Sequence, residues 1–230
     1  SSAASDVYKR QSLLSRDRYK GSALSGTSLV VVDECHIGTT PAMTRILTHF
    51  EDAGATIVGL SATPYKGRGK PLPYWSRPAF SYSLLQAIRD GWLVRPKGHI
   101  SQVTSVDLSA VEVVASDWNG AQLEAVLTAE HAVQEISSLV LQTYKKMPSA
   151  VYCHSVAQAR MLAEVFERYG VKASVVWSEQ PKDERKANMD AFVNHETQII
   201  CNVGILAYGW DHPQLRNCLL YTSPSPRDKR

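Results

Sequence analysis

Residues 29–36 read LVVVDECH: four apolar residues are followed at once by two acids, a cysteine and a histidine. The run from Leu29 to Val32 is short and rich in β-branched residues, which is typical of a buried strand. A second apolar run, from Ala55 to Leu60, ends in the small polar residues 61–63. Between the two runs, Pro41 opens a helical pattern, because proline is tolerated in the first turn of a helix. The order strand, helix, strand predicts a parallel β-α-β unit.

The second half of the chain repeats this alternation. Strands are predicted at 150–153, 173–177 and 198–203, and helices at 157–169 and 183–193. Strands that alternate with helices indicate a parallel sheet covered on both faces. The sequence therefore predicts an α/β fold of two units joined near residues 105–130. Residues 99–106 are expected to be extended, and residues 121–146 helical.

Two acids, Asp33 and Glu34, come directly after the first strand. In parallel sheets, ligands bind beyond the carboxyl ends of strands, so paired acids at this place favour a nucleotide site. The first acid can hold Mg²⁺ through water, because Mg²⁺ keeps much of its hydration. The second can orient and deprotonate a water molecule in phosphoryl transfer. The alternative interpretation is an ordinary turn whose acids face solvent.

Small hydroxyl residues, Ser61 and Thr63, follow the second strand. At the same edge of the sheet they could hydrogen-bond His36 and respond to the state of a nucleotide. The alternative is a plain strand-to-loop turn closed by Pro64. The two motifs together, at two strand ends of one sheet, favour the nucleotide-site interpretation.

Further segments extend this pattern: VGLSATPYKGRGK at 58–70, LLQAIRDGWLV at 84–94, AVYCHSV at 150–156 and CNVGILAYGWDHP at 201–213. With DECH and SAT, their order and spacing resemble superfamily 2 helicases of the DEAD/DEAH-box type. The resemblance is strongest to the bacterial and phage group related to XPB-type repair helicases. It implies two RecA-like lobes with parallel sheets, with lobe one incomplete at its N-terminus and lobe two truncated at its C-terminus.

The resemblance also implies an activity, which is ATP-dependent movement along nucleic acid, with ATP and Mg²⁺ as cofactors. DNA is favoured over RNA as the partner. In the first lobe, Asp33 would hold Mg²⁺ through water and Glu34 would be the general base for ATP hydrolysis. The remaining residues of the two motifs would couple hydrolysis to strand movement; these are His36, Ser61 and Thr63.

In the second lobe, the resemblance implies that Ser155, Cys201 and Asn202 lie at the nucleic acid. Gly209 and Asp211 would face the nucleotide. Cys201 stands where the family usually has threonine, so the hydroxyl contact of the family has no counterpart at this position.

A basic loop between 65 and 78 includes Lys66 and Arg68, interleaved with aromatic residues. It is predicted to contact a nucleic-acid strand through phosphate charge and base stacking. The alternative is a solvated loop whose aromatic rings pack on the lobe. Trp177, at the end of a predicted strand, is expected to lie in the core or at the lobe interface.

The sequence contains no GxxxxGK[ST] phosphate loop. The resemblance implies that this loop and the arginine-finger motif belong to the parent protein outside residues 12–217. Without them, we expect no measurable ATPase activity from this segment alone, because arginine fingers supply about 10³ to 10⁵ in rate. Two other functions stay open: a motor subunit of a restriction or remodelling complex that translocates on duplex, and a catalytically silent nucleic-acid-binding scaffold.

The two ends of the chain, residues 1–11 and 218–230, translate letter for letter from DNA strings that resemble transposase sequencing adapters. We expect both to be adapter scars, which lie outside fold reasoning. Between them we expect a partial lobe one at 12–104, a linker at 105–130 and a partial lobe two at 131–217. The net charge of +3 comes from these ends, since the segment between them has equal numbers of acidic and basic residues.

Composition excludes several classes of protein. The apolar fraction of 44% supports a packed core rather than disorder. No apolar run approaches the ~20 residues that span a bilayer, so no membrane partner is expected. Four cysteines without a CxxC pair predict neither a disulfide framework nor a zinc site, which favours the cytoplasm.

Overall fold

The computed structural model describes residues 13, 15–37, 40–66, 70–75, 78–101, 103–109, 111–114, 117–144, 146–206 and 210–220. Two compact units divide the chain, the first comprising residues 1–96 and the second residues 97–230. None of the helices within the described ranges is long and apolar enough to cross a membrane.

The first unit is built on a parallel pair of strands, β1 (Leu29–Val32) and β2 (Thr56–Gly59), with Leu29 opposite Thr56. Helix α1 (Pro41–Asp52) connects them. Its start is fixed by Thr40, whose Oγ1 accepts a hydrogen bond from the amide of Met43 at 3.3 Å. The helix buries three side chains against the strands, namely Ile46, Leu47 and Phe50.

Short elements surround this pair. Two 3₁₀ turns precede it, Ser15–Lys20 and Ser22–Leu24. A hairpin follows it, made of β3 (Tyr65–Lys66) and β4 (Lys70–Pro71). Helix α2 (Leu84–Arg89) begins after Ser83, whose hydroxyl accepts from the Gln86 amide at 3.2 Å.

The second unit contains a four-stranded, fully parallel sheet. From edge to edge, its strands are β10 (Asn217–Leu220), β7 (Ser149–Tyr152), β9 (Ile199–Val203) and β8 (Ala173–Trp177). Its elements in chain order are β5 (Val113–Val114), β6 (Asp117–Trp118), α3 (Gly120–Leu127), α4 (Glu130–Tyr144), β7 (Ser149–Tyr152), α5 (Val156–Arg168), β8 (Ala173–Trp177), α6 (Lys182–Val193), β9 (Ile199–Val203) and β10 (Asn217–Leu220). Strands β5 and β6 form a separate antiparallel pair.

Both faces of this sheet are buried. On one face, Val151 and Cys201 pack with side chains of α4 and α5, including Phe166. On the other face, Ala150 and Ile200 pack with Phe192 and other residues that follow the strands. Neighbouring residues of β7 and β9 therefore enter opposite cores, as the alternation of side chains along a strand requires.

The α/β fold with parallel sheets is confirmed. Strands 29–32 and 173–177 have their predicted bounds. The predicted helix at 121–146 is instead two helices, because Thr128 ends α3 and its Oγ1 donates to the carbonyl of Glu124 at 2.8 Å. The range 99–106 was predicted to be extended; its described residues form no strand, and residues 104–105 form a turn instead.

Two further segments are more ordered than the sequence suggested. The range expected to be a linker, 105–130, contains β5, β6 and α3. Trp118 of β6 and two leucines of α3, Leu123 and Leu127, share a small core with Val111. Strand β10 includes residues 218–220, which lie in the range expected to be an adapter scar. The adapter origin of both ends stays a prediction.

Candidate active site

The turn after β1 is tied directly to the residue after β2. The amide of Leu60 donates to the carbonyl of Val32 at 2.8 Å, and the amide of Cys35 donates to the carbonyl of Leu60 at 2.9 Å. These two bonds continue the parallel ladder past the strands. The segments carrying DECH and SAT are therefore held side by side at the carboxyl edge of the sheet.

The acidic turn itself is tight. Glu34 has a left-handed backbone (φ 49°), which a residue with a side chain adopts only at a cost in energy. Its amide donates to Oδ1 of Asp33 at 2.9 Å, and its carbonyl accepts from the Ile37 amide at 2.9 Å. These bonds compensate for the strain and fix both carboxylates where the strand ends.

His36 joins the two turns. Its Nδ1 lies 2.9 Å from Oγ of Ser61 and 3.2 Å from Oε2 of Glu34. Oγ of Ser61 also accepts a hydrogen bond from the backbone amide of Thr63 at 3.0 Å. The predicted association of His36 with Ser61 is thus present in the structure. Thr63 joins the series through its amide.

The hydrogen bond between His36 and Ser61 can form in either direction. A protonated Nδ1 donates to Oγ of Ser61, and an unprotonated Nδ1 accepts from the Ser61 hydroxyl. Oε2 of Glu34 lies beside the same nitrogen and forms an ion pair with it when the ring is protonated. The arrangement presents a carboxylate, an imidazole and a hydroxyl together at one strand edge.

Cys35 forms the floor of this site. It is buried, and burial raises the pKa of its thiol. A Cβ placed on Gly59 would come within 2.9 Å of Cys35 Sγ and 2.8 Å of the Trp75 ring. Glycine is therefore required where β2, the DECH turn and Trp75 meet. The raised pKa argues against a thiolate nucleophile.

The acids suit a hydrated Mg²⁺ ion bound together with phosphate. Asp33 is exposed, and only its Oδ1 is engaged by the Glu34 amide. Within the described ranges, no group of three or more His, Cys, Asp and Glu side chains could enclose a metal. Mg²⁺ usually keeps several waters and takes one or two carboxylates plus substrate phosphates, so Asp33 fits this role.

In the second unit, Ser155 follows β7 and caps α5. Its Oγ accepts from the Gln158 amide at 3.2 Å, and Oε1 of Gln158 accepts from the His154 amide at 2.8 Å. Gln158 is only 1% exposed. The sequence analysis missed Gln158, although a serine followed three residues later by glutamine is a capping-box signal.

Cys201 and Asn202 are both buried. The Cys201 thiol faces Cys153, and a hydrogen bond between them together with burial raises the pKa of Cys201 well above its usual range. Asn202 donates from Nδ2 to the Val151 carbonyl at 3.2 Å and accepts from the Leu206 amide at 3.4 Å. Their nucleic-acid contacts stay predictions, and in this structure the side chains serve packing and loop closure.

The other predicted residues are less fully described. Gly209 and Arg68 lie outside the described residues, and Lys66 is described only as part of β3. Asp211 is exposed next to His212, whose ring stacks on Trp210 at 5.6 Å between centroids. Burial lowers the pKa of His212. Among the described residues, no contact tests the role of Asp211 at the nucleotide, which stays a prediction.

Two family models match the chain in succession. Residues 2–66 match the model described as type III restriction enzyme, res subunit, and residues 131–229 match the helicase conserved C-terminal domain. Both matches include parts of the end segments expected to be adapter scars. The two matched segments are therefore similar to parts of the two RecA-like lobes of superfamily 2 helicases.

Individual proteins show the same similarity. A Saccharomyces cerevisiae protein named as the ATP-dependent helicase IRC3 is 27% identical over 87% of this chain and 30% of its own length. A 51.5 kDa protein of a Lactococcus phage is 26% identical over 84% of this chain and 42% of its own. This chain therefore spans less than half the length of these relatives.

A solved structure supports the fold. It is the Mycobacterium smegmatis helicase Lhr bound to single-stranded DNA and AMP-PNP. It matches with a TM-score of 0.50 and 17% identity, over 90% of this chain and 26% of that one.

Proposed function

We propose that this chain is part of an ATP-dependent DNA helicase or translocase that uses ATP and Mg²⁺. The observation that supports this most directly is a series of contacts that joins the acidic turn to the turn after the neighbouring strand. Oε2 of Glu34 lies 3.2 Å from Nδ1 of His36, which is hydrogen-bonded to Ser61, and Oγ of Ser61 accepts from the Thr63 amide. A nucleotide hydrolase that does mechanical work needs such a link between its acid and a second segment.

Within this proposal, the two acids divide the chemistry. Asp33 would hold the hydrated Mg²⁺, which neutralises phosphate charge when bound. Glu34 would take a proton from the attacking water. Oε2 of Glu34 lies 3.2 Å from Nδ1 of His36, so a protonated His36 would hold this carboxylate in place. The strained backbone at Glu34 keeps its side chain at the edge rather than along the strand.

The remaining contacts are proposed by position. Lys66 and Arg68 would meet the nucleic-acid backbone in the first unit, and Ser155, Cys201 and Asn202 in the second. Gly209 and Asp211 would face the nucleotide. We expect the chain itself to show no measurable ATPase activity, because its sequence has no GxxxxGK[ST] loop to cradle the phosphates.

The test uses a longer polypeptide that contains this sequence together with a phosphate loop. Glu34→Gln should lower DNA-stimulated ATP hydrolysis by about 10²- to 10⁴-fold, as expected when a general base is removed. ATP binding, followed with a fluorescent analogue, should change little. An unchanged hydrolysis rate in Glu34→Gln would refute the assignment.

A second candidate is the duplex-translocating motor of a restriction complex. The description of the family model matched by residues 2–66 favours it. A strand-displacement assay and a triplex-displacement assay on the same preparation separate the two. Triplex displacement without strand separation would support the motor, and strand separation would support the helicase.

The third candidate, a silent nucleic-acid-binding scaffold, is tested by the same longer polypeptide. A scaffold would bind nucleic acid but hydrolyse no ATP before any substitution is made. The DECH turn argues against it, because its strained backbone and its contacts hold two adjacent carboxylates at the end of the strand.

A further inference from the structure

Arg160 lies over the ring of Trp177. The guanidinium carbon is 5.0 Å from the ring centroid, within the range of a cation–π contact. Arg160 is exposed on α5, and Trp177 is half-buried as the last residue of β8. The sequence analysis expected Trp177 in the core or at the lobe interface. Within the second unit its ring is partly exposed and lies under the Arg160 cation, and a place at the lobe interface stays a prediction.

The position of this pair is set by the parallel sheet. Helix α5 connects two parallel strands, β7 and β8, so it runs opposite to them and its first half lies at their carboxyl ends. Trp177 has the same parity along β8 as Ala173 and Val175, which pack on the α5 side. Arg160 and Trp177 therefore meet at the carboxyl edge, where ligands of such sheets bind.

The segment after Trp177 is held in place by its own contacts. Nη1 of Arg185 donates to the Ser178 carbonyl at 2.8 Å. Gln180 is 3% exposed and donates from Nε2 to the Val175 carbonyl and to Glu184. Glu179 is the exposed acid of this turn. These hydrogen bonds hold the turn that follows Trp177, so the ring that contacts Arg160 has a defined position.

The contact with the ring leaves hydrogen-bond donors of Arg160 unused. The face of the ring attracts the guanidinium charge, whereas arginine has five N–H donors in a fixed fork. Those groups can hold a phosphate with two parallel hydrogen bonds. Of the ion pairs given by the described residues, none involves Arg160. It is therefore available to an anionic ligand.

We propose that Arg160, oriented by Trp177, is a phosphate contact for single-stranded nucleic acid on the second unit. Arg160 would touch the ligand, and Trp177 would act as a positioning residue. This inference rests on the proposed function, since a motor that moves along a strand needs backbone contacts that do not depend on base sequence.

The test is oligonucleotide binding by the complete chain. Fluorescein-labelled 20-mers of deoxythymidine and of uridine are titrated while anisotropy is followed from 50 to 300 mM salt. Arg160→Ala should weaken binding about tenfold at low salt, as expected for one charge-assisted contact. It should also reduce the slope of log K against log salt by about 0.7, the value for one phosphate on a single strand.

The matched control is Arg168→Ala, which removes an exposed arginine from the last turn of the same helix. It lowers the net charge equally, but at the opposite end of α5. Its affinity and salt slope should equal those of the unsubstituted chain. Equal losses in the two variants would mean a general charge effect and would overturn the proposal.

The positioning role of Trp177 is tested by comparing its variants in the presence and absence of Arg160. Trp177→Ala should weaken binding, whereas Trp177→Phe, which keeps an aromatic face, should retain most of it. The Trp177→Ala change should add little in a chain that already carries Arg160→Ala, because the two residues act through one contact. Full additivity would overturn the positioning role.

The outcomes separate this inference from the proposed function. If the unsubstituted chain binds neither oligonucleotide, the nucleic-acid part of the proposed function fails and this contact fails with it. If the chain binds and Arg160→Ala binds equally well, only the present inference fails. A lowered urea midpoint with unchanged affinity and salt slope would give the pair a purely structural role, and would likewise overturn it.

Discussion

The sheets of the two units are covered differently. In the first unit, one face of the β1–β2 pair is open, with Leu29 55% and Val31 53% exposed. In the second unit, both faces of the four-stranded sheet are buried, and Phe166 and Phe192 are fully enclosed on opposite sides. The polar side chains at the strand ends also differ. In the first unit they are exposed or half-buried and contact one another, whereas in the second unit Asn202 and Gln158 are buried and bonded to backbone.

This difference shows how a motif's chemistry depends on what surrounds it. His36 and Ser61 are half-buried and form their hydrogen bond at the carboxyl edge of the sheet, beside the exposed Asp33. Asn202 and Gln158 have their hydrogen bonds committed to loops, so they shape the site without touching it. Such residues can be essential for function while making no ligand contact.

The largest expected effect tests the contrast between the two cores. Phe166→Ala should cost about 3–5 kcal/mol, because it removes a fully buried ring and leaves a cavity between α5 and the sheet. Val31→Ser, on the open face of the first unit, should change stability by about 0.5 kcal/mol or less. Urea unfolding, monitored by hydrogen exchange of individual peptides, assigns each loss of stability to one of the two units.

A large cost for Val31→Ser would contradict the comparison, since it would mean that the open face is covered in solution. Protection of the β1 amides that persists to the same urea concentration as that of β9 would contradict it equally. Either result would place the two sheets in one cooperative structure.

The second prediction concerns the floor of the DECH turn. Gly59→Ala should destabilise the first unit by about 1–3 kcal/mol, because the new methyl group would meet Trp75 and Cys35 at less than 3 Å. Gly98→Ala is the control, since a Cβ there meets nothing within 4 Å. Thermal unfolding of both variants measures the difference.

A smaller side chain at position 75 would confirm that the clash with Trp75 causes the loss of stability. Trp75→Leu combined with Gly59→Ala should recover part of the loss, because the leucine side chain vacates the space of the indole six-membered ring. If the double variant is as unstable as the sum of the single ones, the contact between Gly59 and Trp75 is not what forbids the side chain.

Much of this architecture could be predicted from the sequence. The strand at 29–32 could be located because apolar β-branched residues end abruptly in acids, and that at 173–177 because it alternates with helical segments. The pairing of His36 with Ser61 followed from their positions at the ends of adjacent parallel strands. These features depend on local patterns and on the single rule that parallel strands share a carboxyl edge.

The rest depends on packing between distant residues. Nothing in the local sequence indicates that Trp75 lies under Cys35, or that Arg160 reaches Trp177, because each contact joins separate elements. The positive φ of Glu34 arises from hydrogen bonds across the turn and not from a turn-forming residue type. The break between α3 and α4 was missed because threonine is a weak signal for the end of a helix.

A smaller effect is expected at the cap of α5. Ser155→Ala should cost about 1 kcal/mol, since the Gln158 amide loses its acceptor. Ser155→Asp keeps a good cap and should restore the stability, as measured by urea unfolding. The aspartate would also add a negative charge at this edge, so it should weaken oligonucleotide binding if the strand passes nearby. Retained affinity in Ser155→Asp would place the nucleic acid away from Ser155.

The smallest effect is a dependence on acid pH at the start of the second unit. The Glu135 carboxylate accepts from the amide and hydroxyl of Thr104 at 2.9 and 3.0 Å, and from the Ser105 amide at 2.8 Å. Hydrogen bonds from Ser105, followed by those from Thr104, lower its pKa from 4.5 to about 2. This contact therefore ties residues 104–105 to α4 as long as the carboxylate is ionised.

Because the folded pKa lies below the unfolded value, the stabilisation is fully present above about pH 4.5 and fades as the pH falls toward 2. The urea midpoint of the unsubstituted chain should fall across this window more steeply than that of Glu135→Gln, whose side chain does not titrate. Glu164→Gln, at an exposed position on α5, should follow the unsubstituted chain. Parallel curves for Glu135→Gln and the unsubstituted chain would show that residues 104–105 are held to α4 by contacts other than this carboxylate.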